Sequence, residues 1–189
     1  MAKVFDDIDD ALTLFLTSQP LFFVATAPTS STGLVNCSPK GNRGEFAVLA
    51  QRQVAYLDQT GSGVETIAHL RENGRIVVMF CAFEGPPRIV RLHGRGRFVT
   101  PTSAEFEQLA GRFVASDGVG VRSIVVVDVT RVSDSCGYGV PFMDFVSHRP
   151  TMDQWSSRKG PDGIATYQAE KNARSVDGLA GLTSEVNEP

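Results

Sequence analysis

The sequence predicts a mainly β protein of the α+β kind, a small antiparallel barrel with flanking helices. Three observations lead there. Apolar, β-branched runs recur at short spacing between turn signals, few segments carry helical periodicity, and no unit of about 20–50 residues repeats. Strands crowded this closely leave no room for the crossover helices of a parallel sheet. With 189 residues, 42% of them apolar, the chain can bury one sizeable core, so one domain with an appended tail is expected.

Residues 9–17 place Leu12, Phe15 and Leu16 at helical spacing behind an acidic start that complements the helix dipole, and Pro20 limits the helix. Residues 21–26 are apolar and β-branched, 28–33 have turn composition and 34–38 resume a short strand, making a hairpin that ends at Pro39-Lys40-Gly41-Asn42. Two short strands follow at 46–49 and 53–57. The run Asp58-Gln59-Thr60-Gly61-Ser62-Gly63 breaks that pattern, and 64–73 takes helical spacing through Ile67 and Leu70, with Gly74 as its C-terminal cap. Ser62 and Glu65 stand at capping-box spacing at its start. The strongest strand signal lies at 75–83 and 88–99, two long strands about Glu84-Gly85-Pro86-Pro87. Thr102 and Glu105 form a second capping box before a short helix carrying Phe106 and Leu109, and 123–129 is a valine-rich, buried strand. Beyond about Asp134 the pattern weakens. Residues 1–133 are therefore expected to form the barrel domain, and residues 134–189 an extension that packs on the barrel or on a partner subunit.

Eighteen Lys and Arg against 21 Asp and Glu leave a net charge of −3, which gives no electrostatic case for nucleic acid or a membrane surface. The longest apolar runs, such as 76–83, fall far short of the roughly 20 residues that span a bilayer, and the acidic start Asp6-Asp7-Ile8-Asp9-Asp10 is unlike a secretory signal. A soluble, cytoplasmic protein is expected. Cys37, Cys81 and Cys136 cannot all pair within the chain and none stands at zinc or dithiol spacing, which fits a reducing compartment. His69, His93 and His148 lack companion ligands at metal spacing, so no metal site is expected. Ser-His-Asp hydrolysis has no Gly-x-Ser-x-Gly support.

Three features can carry chemistry. Alternation along 88–98 puts Val90, Leu92 and Phe98 on one face and Arg91, His93, Arg95 and Arg97 on the other. That stripe suits an anion, because Arg grips phosphate through two parallel hydrogen bonds, and it equally suits a solvated face paired with carboxylates. The loop at 58–63 runs into a helix, whose N–H groups and Ser62 hydroxyl would meet an anion. Glu65, folded back as the capping-box partner, would repel a phosphate there, so a sugar or ring edge fits that loop better. Asn36-Cys37-Ser38-Pro39-Lys40-Gly41 ends a strand with amide, hydroxyl and ammonium groups, suited to a heterocycle and a phosphate arm or to an ordinary polar turn. Cys81 reads as a small core hydrophobe, whereas Cys136, beside glycines, is either a redox contact or part of a tight interface loop.

The ordered series Lys40-Gly41, Tyr56-Leu57-Asp58, Gly61-Ser62, Glu72-Asn73 and Arg88-Ile89-Val90-Arg91-Leu92-His93-Gly94 resembles the core of the pyridoxamine 5′-phosphate oxidase family, over residues 20–100. The similarity to uncharacterised microbial and fungal members is greater. It runs through Asn36-Cys37-Ser38-Pro39-Lys40-Gly41, Tyr56-Leu57-Asp58-Gln59-Thr60-Gly61-Ser62-Gly63-Val64-Glu65-Thr66 and Asn73-Gly74-Arg75. The resemblance implies an FMN-binding split β-barrel that forms a homodimer, with flavin mononucleotide (FMN) in two symmetric clefts between subunits. Carried over by position, Lys40 resembles the lysine that closes the family's first flavin-binding segment. Arg88 and Arg91 resemble the two arginines of its Arg-x-Val-Arg strand. Asn36, Ser38, Tyr56, Asp58, Gly61 and Ser62 complete the implied cofactor-binding set, and no catalytic residue is assigned.

The departures narrow the expected activity. Where the oxidases continue Gly-Ser with an Arg-Lys pair for the flavin phosphate, this chain has Gly63-Val64. The glutamine of their Arg-Gln-Val is Ile89, and their C-terminal Arg-x-His substrate motif has no match near His148-Arg149-Pro150 or Trp155. The expectation is a homodimeric FMN-dependent oxidoreductase acting on a small redox substrate other than pyridoxamine phosphate. A non-catalytic flavin-binding protein, or a split barrel holding deazaflavin or haem, remain the alternatives.

Overall fold

Strand alternation and helix capping set the elements of the computed structural model, which describes residues 3–42 and 44–182. In chain order they are β1 (Val4–Phe5), α1 (Asp10–Ser18), β2 (Phe22–Thr26), β3 (Asn36–Lys40), β4 (Phe46–Ala50), β5 (Gln53–Gln59), α2 (Glu65–Glu72), β6 (Arg75–Cys81), β7 (Ile89–Val99), α3 (Ala104–Ala110), β8 (Val121–Ser135) and α4 (Thr151–Lys171). Helix α1 starts where Asp9 accepts a hydrogen bond from Leu12 N–H at 2.8 Å, a cap worth about 1 kcal/mol. It buries Leu12 and Leu16. Helix α2 ends at Gly74, whose φ of +68° is one that a side-chain-bearing residue resists.

The strands form one antiparallel sheet in the order β3-β2-β6-β7-β8-β5-β4, with β1 also paired to β8. Strands β3 and β4 end this order, and no hydrogen-bonded ladder joins them. Instead Phe22 on β2 meets Phe46 on β4 at 5.4 Å between ring centroids, and Phe80 on β6 meets Phe46 at 4.9 Å. Side chains thus draw the two ends of the sheet together without closing it, which is the split barrel.

One core fills the inside, with Leu12, Phe22, Val24, Tyr56, Phe80, Leu92, Val125 and Val127. A second lies on the other face, where Ala55, Leu57, Ile124 and Val126 meet Phe106 and Phe113. Strand β8 therefore alternates between two cores, which is why its sequence reads as an unbroken valine run. It is 15 residues long and extends past Asp134 to Ser135, beyond the barrel boundary expected at residue 133.

Both capping boxes differ from expectation. Helix α2 has Val64 at its N-cap with no side-chain hydrogen bond, and Glu65 instead accepts from Val176 N–H at 3.2 Å. Helix α3 is capped one residue later than the Thr102 box, by Ser103, whose Oγ accepts from Phe106 N–H. Glu105 is drawn away by Arg97, at 2.8 Å. The extension holds helix α4, which composition did not reveal, broken at Gly160 just before Pro161. The last part of the expected tail, residues 183–189, lies outside the described residues. Among the described residues no helix is long and apolar enough to cross a membrane.

Candidate functional site

Alternation along β3 turns Asn36, Ser38 and Lys40 to one side while Cys37 and Pro39 face solvent. These three line a cleft of about 860 Å³. Its floor is the loop Thr60-Gly61-Ser62-Gly63 between β5 and α2. Its far wall comes from the extension, through Met143, Phe145, Trp155 and Tyr167. Trp155 and Tyr167 meet edge to face at 5.0 Å, with the Lys159 ammonium over both rings.

Beneath the floor, Asp58 is fully buried between two cations. Lys40 Nζ lies 2.8 Å from Oδ1, and Arg122 Nε and Nη2 each lie 2.8 Å from Oδ2. Burial alone would raise the Asp58 carboxyl, but Lys40 and Arg122 outweigh it and hold the group below the ordinary carboxylate range. One carboxylate against two cations leaves these three residues with one net positive charge, and Glu45, Glu65 and Asp144 also line the cleft. Lys40 and Arg122 both also line the cleft.

The C-terminal segment fastens the same loop. Arg122 donates to Gly63 O at 2.8 Å and to Asn172 Oδ1 at 3.1 Å, and Asn172 Nδ2 donates to Gly61 O at 2.9 Å. Gln168 Nε2 donates to Thr60 Oγ1 at 2.8 Å. Sequence reasoning missed Arg122, Gln168 and Asn172. For Arg122 a signal was present, since a charged residue heading a valine-rich buried strand requires a partner. Nothing in the sequence marked Asn172.

The expected set thus divides. Asn36, Ser38, Lys40, Gly61 and Ser62 come together in the cleft, with Asp58 directly behind them. Tyr56 does not join them; it lies fully buried in the inner core, edge-on to Phe22 at 5.6 Å. Burial, reinforced by the negative charge of Asp58, pushes its phenol well above the ordinary value. Arg88 and Arg91 are not part of this cleft within one chain. Arg88 pairs with Asp134 at 3.2 Å and lies over the Phe15 ring, and Arg91 donates to Ser135 Oγ at 3.0 Å. Arg95 bonds the Asn73 carbonyl and Arg97 pairs with Glu105, so the arginines of the basic stripe are held by protein partners. Among the described residues no group of three or more His, Cys, Asp and Glu is placed to hold a metal ion. Cys136 is exposed beside Arg88 and Asp134, away from the cleft.

An open antiparallel barrel with a polar cleft beside its edge strand defines a split-barrel protein. The chain belongs to the pyridoxamine 5′-phosphate oxidase family, whose model matches residues 8–136. That match ends where the extension begins. The pyridoxamine 5′-phosphate oxidase family protein ustO of Aspergillus flavus is 38% identical over 202 residues, taking in all of this chain and 81% of the relative. The crystal structure of HupZ from Group A Streptococcus superposes with a TM-score of 0.52 at 23% identity, covering 66% of this chain and 91% of that one. The conserved hypothetical protein Rv2991 of Mycobacterium tuberculosis gives 0.50 at 16% identity, covering 74% and 92%. At those identities the likeness is one of fold.

Proposed function

We propose that the cleft binds FMN and that the chain is a flavin-dependent oxidoreductase-like protein whose substrate is not pyridoxamine phosphate. The observation that carries this reading is the net positive Lys40–Asp58–Arg122 cluster under an open loop in a cleft of about 860 Å³. That volume lies in the ordinary range for cofactor sites, roughly 300–1,000 Å³. The residues present fit the group. A Cβ added at Gly61 or Gly63 would meet nothing within 4 Å, so the loop backbone is open on that side. Asn36 and Ser38 offer polar contacts to a ring edge, and Lys40 and Arg122, with Arg149 and Arg158 also in the lining, supply positive charge for a phosphate. Bound FMN would supply hydride or electron transfer, while the chain holds and orients it and screens it from water.

The proposal includes a homodimer, supported by Tyr138, Phe142 and Val146, apolar side chains of the extension that are 82%, 82% and 91% exposed. In such a dimer Arg91 would act on a partner's cleft.

The test is titration of FMN, followed by quenching of flavin fluorescence, into protein freed of bound cofactor. Lys40→Ala is expected to weaken binding by about tenfold or more, the loss of one charge-assisted hydrogen bond. A similar loss in Arg91→Ala supports contribution by a second subunit, and an unchanged wild-type affinity in Lys40→Ala removes the phosphate assignment. Reduction of the bound flavin by a nicotinamide cofactor separates an enzyme from a flavin-binding protein.

A further inference from the structure

The wall of the cleft on β3 continues into the protein as a chain of hydrogen bonds. Ser38 Oγ donates to Asn36 Oδ1 at 2.9 Å. Asn36 Nδ2 donates to Thr66 Oγ1 at 3.1 Å and to Thr26 Oγ1 at 3.2 Å. Thr26 Oγ1 in turn lies 2.9 Å from His69 Nδ1. His69 on α2 is 0% exposed, and its Nε2 has no hydrogen-bond partner.

Counting protons assigns a direction to each bond. A carboxamide nitrogen has two protons, and both of those on Asn36 are spent on threonine hydroxyls. Its oxygen therefore accepts, and takes the one proton of Ser38. Thr26 oxygen accepts from Asn36 and has a second lone pair, but His69 Nδ1 is the only other partner of this buried hydroxyl among the described residues, so with Asn36 in this orientation its proton is satisfied only there. Nδ1 is then bare and the imidazole proton sits on Nε2. With the opposite tautomer the Thr26 proton finds an acceptor only if every bond reverses. Nδ1–H would donate to Thr26, the Asn36 amide would turn over, and Ser38 would point its proton into the cleft.

We propose that His69 is a positioning residue for the cleft. As the Nε2–H tautomer it locks Asn36 so that Ser38 presents a hydrogen-bond acceptor to the ligand, which selects a planar heterocycle whose edge carries an imide N–H. The flavin ring has such an edge, so this deepens the FMN reading and rests on it. Ser38 then discriminates against a ligand that offers only a carbonyl at that point, because two facing acceptors leave both unsatisfied.

The lock is tested first in ligand-free, ¹⁵N-labelled protein. His69 Nδ1 is expected to resonate as an unprotonated nitrogen and Nε2 as a protonated one, and the Asn36 side-chain amide protons are expected to be resolved and slow to exchange. His69→Leu removes the acceptor and should return the Asn36 amide signals to positions typical of free carboxamides. His69→Asn places a side-chain oxygen near the Nδ1 position and should keep them. In FMN titrations, His69→Leu and Ser38→Ala are each expected to bind about tenfold more weakly, His69→Asn within about threefold of wild type, and the Ser38→Ala/His69→Leu double variant no more weakly than Ser38→Ala. A protonated Nδ1, unmoved Asn36 signals in His69→Leu, or additive losses in the double variant would overturn the proposal. If His69→Leu does not fold, the wild-type tautomer and the His69→Asn variant still decide it. Wild-type protein that takes up no FMN removes the flavin reading instead, while the ligand-free resonances still report on the lock.

Discussion

Asp58 is fully buried with Lys40 at 2.8 Å on one oxygen and Arg122 at 2.8 Å on the other. Its worth to stability lies in what happens when it is removed. Asp58→Asn would strand Arg122, which is only 5% exposed, without its counter-charge. The expected loss is about 3–5 kcal/mol in urea unfolding, since the cost of an uncompensated buried charge exceeds the net worth of the pair. The same residue governs acid behaviour. Its folded carboxyl titrates below the unfolded value near about 3.9, so its contribution is complete above that value and is lost as pH falls through the folded one. His69 acts earlier. Burial lowers its imidazole, against the opposing pull of Glu65, Asp177 and Glu72, so the unfolded chain takes up that proton first and stability declines once pH falls below about 6.5. His93, lowered by burial and by Arg131 and Arg91, adds to the same decline. Urea midpoints measured from pH 7 to 3 should therefore fall in two stages, the lower of which is smaller in Asp58→Asn, where Glu72, held down by its hydrogen bonds from Thr29, still contributes. A midpoint that stays level down to pH 4 would contradict buried neutral histidines.

At the scale of elements, the cleft is made by seating helix α4 against the turn that leads into β8. Gly120 is the contact point. A Cβ there would come within 2.3 Å of Ser156 Oγ and 3.2 Å of Gln59 Oε1. Ser156 is itself buried and its Cβ would lie 3.0 Å away, so turning the hydroxyl aside would not clear the contact. Gly120→Ala is expected to lift α4, costing about 1–3 kcal/mol and speeding protease cleavage near the break at Gly160 and Pro161. Unchanged stability and proteolysis would show that the helix is not held there.

Across the whole molecule, the barrel holds both apolar cores, while the cleft is shared between barrel and extension. Both apolar cores are built from residues no later than Val132, whereas one wall of the cleft and the bonds from Gln168 and Asn172 come from the extension. A chain ending at Tyr167 should therefore keep its far-ultraviolet strand signal. It should bind FMN about tenfold more weakly, because the Gly61 carbonyl and Thr60 hydroxyl lose the partners that hold the loop. Loss of the strand signal would mean that the extension is needed for folding instead.

What the sequence determined on its own is whatever depends on neighbours along the chain. Period-two alternation places Val90 and Leu92 inward and puts Asn36, Ser38 and Lys40 on one face of β3, and an acidic cap before Leu12 starts α1. The family motifs added the cofactor expectation. Tertiary structure decided the rest. Asp58 and Arg122 are 64 residues apart, and Asn172 reaches Gly61 across 111, so their pairing depends on strand register and on where the extension lands. The arginine stripe was visible in the sequence, but its occupation by Ser135, Asn73 and Glu105 was not. Tyr56, carried in with the binding motif, shares a face of β5 with Asp58 but lies two residues further from the loop, beside Phe22 in the core. Periodicity fixes which face a side chain takes, and only the folded sheet determines what that face meets.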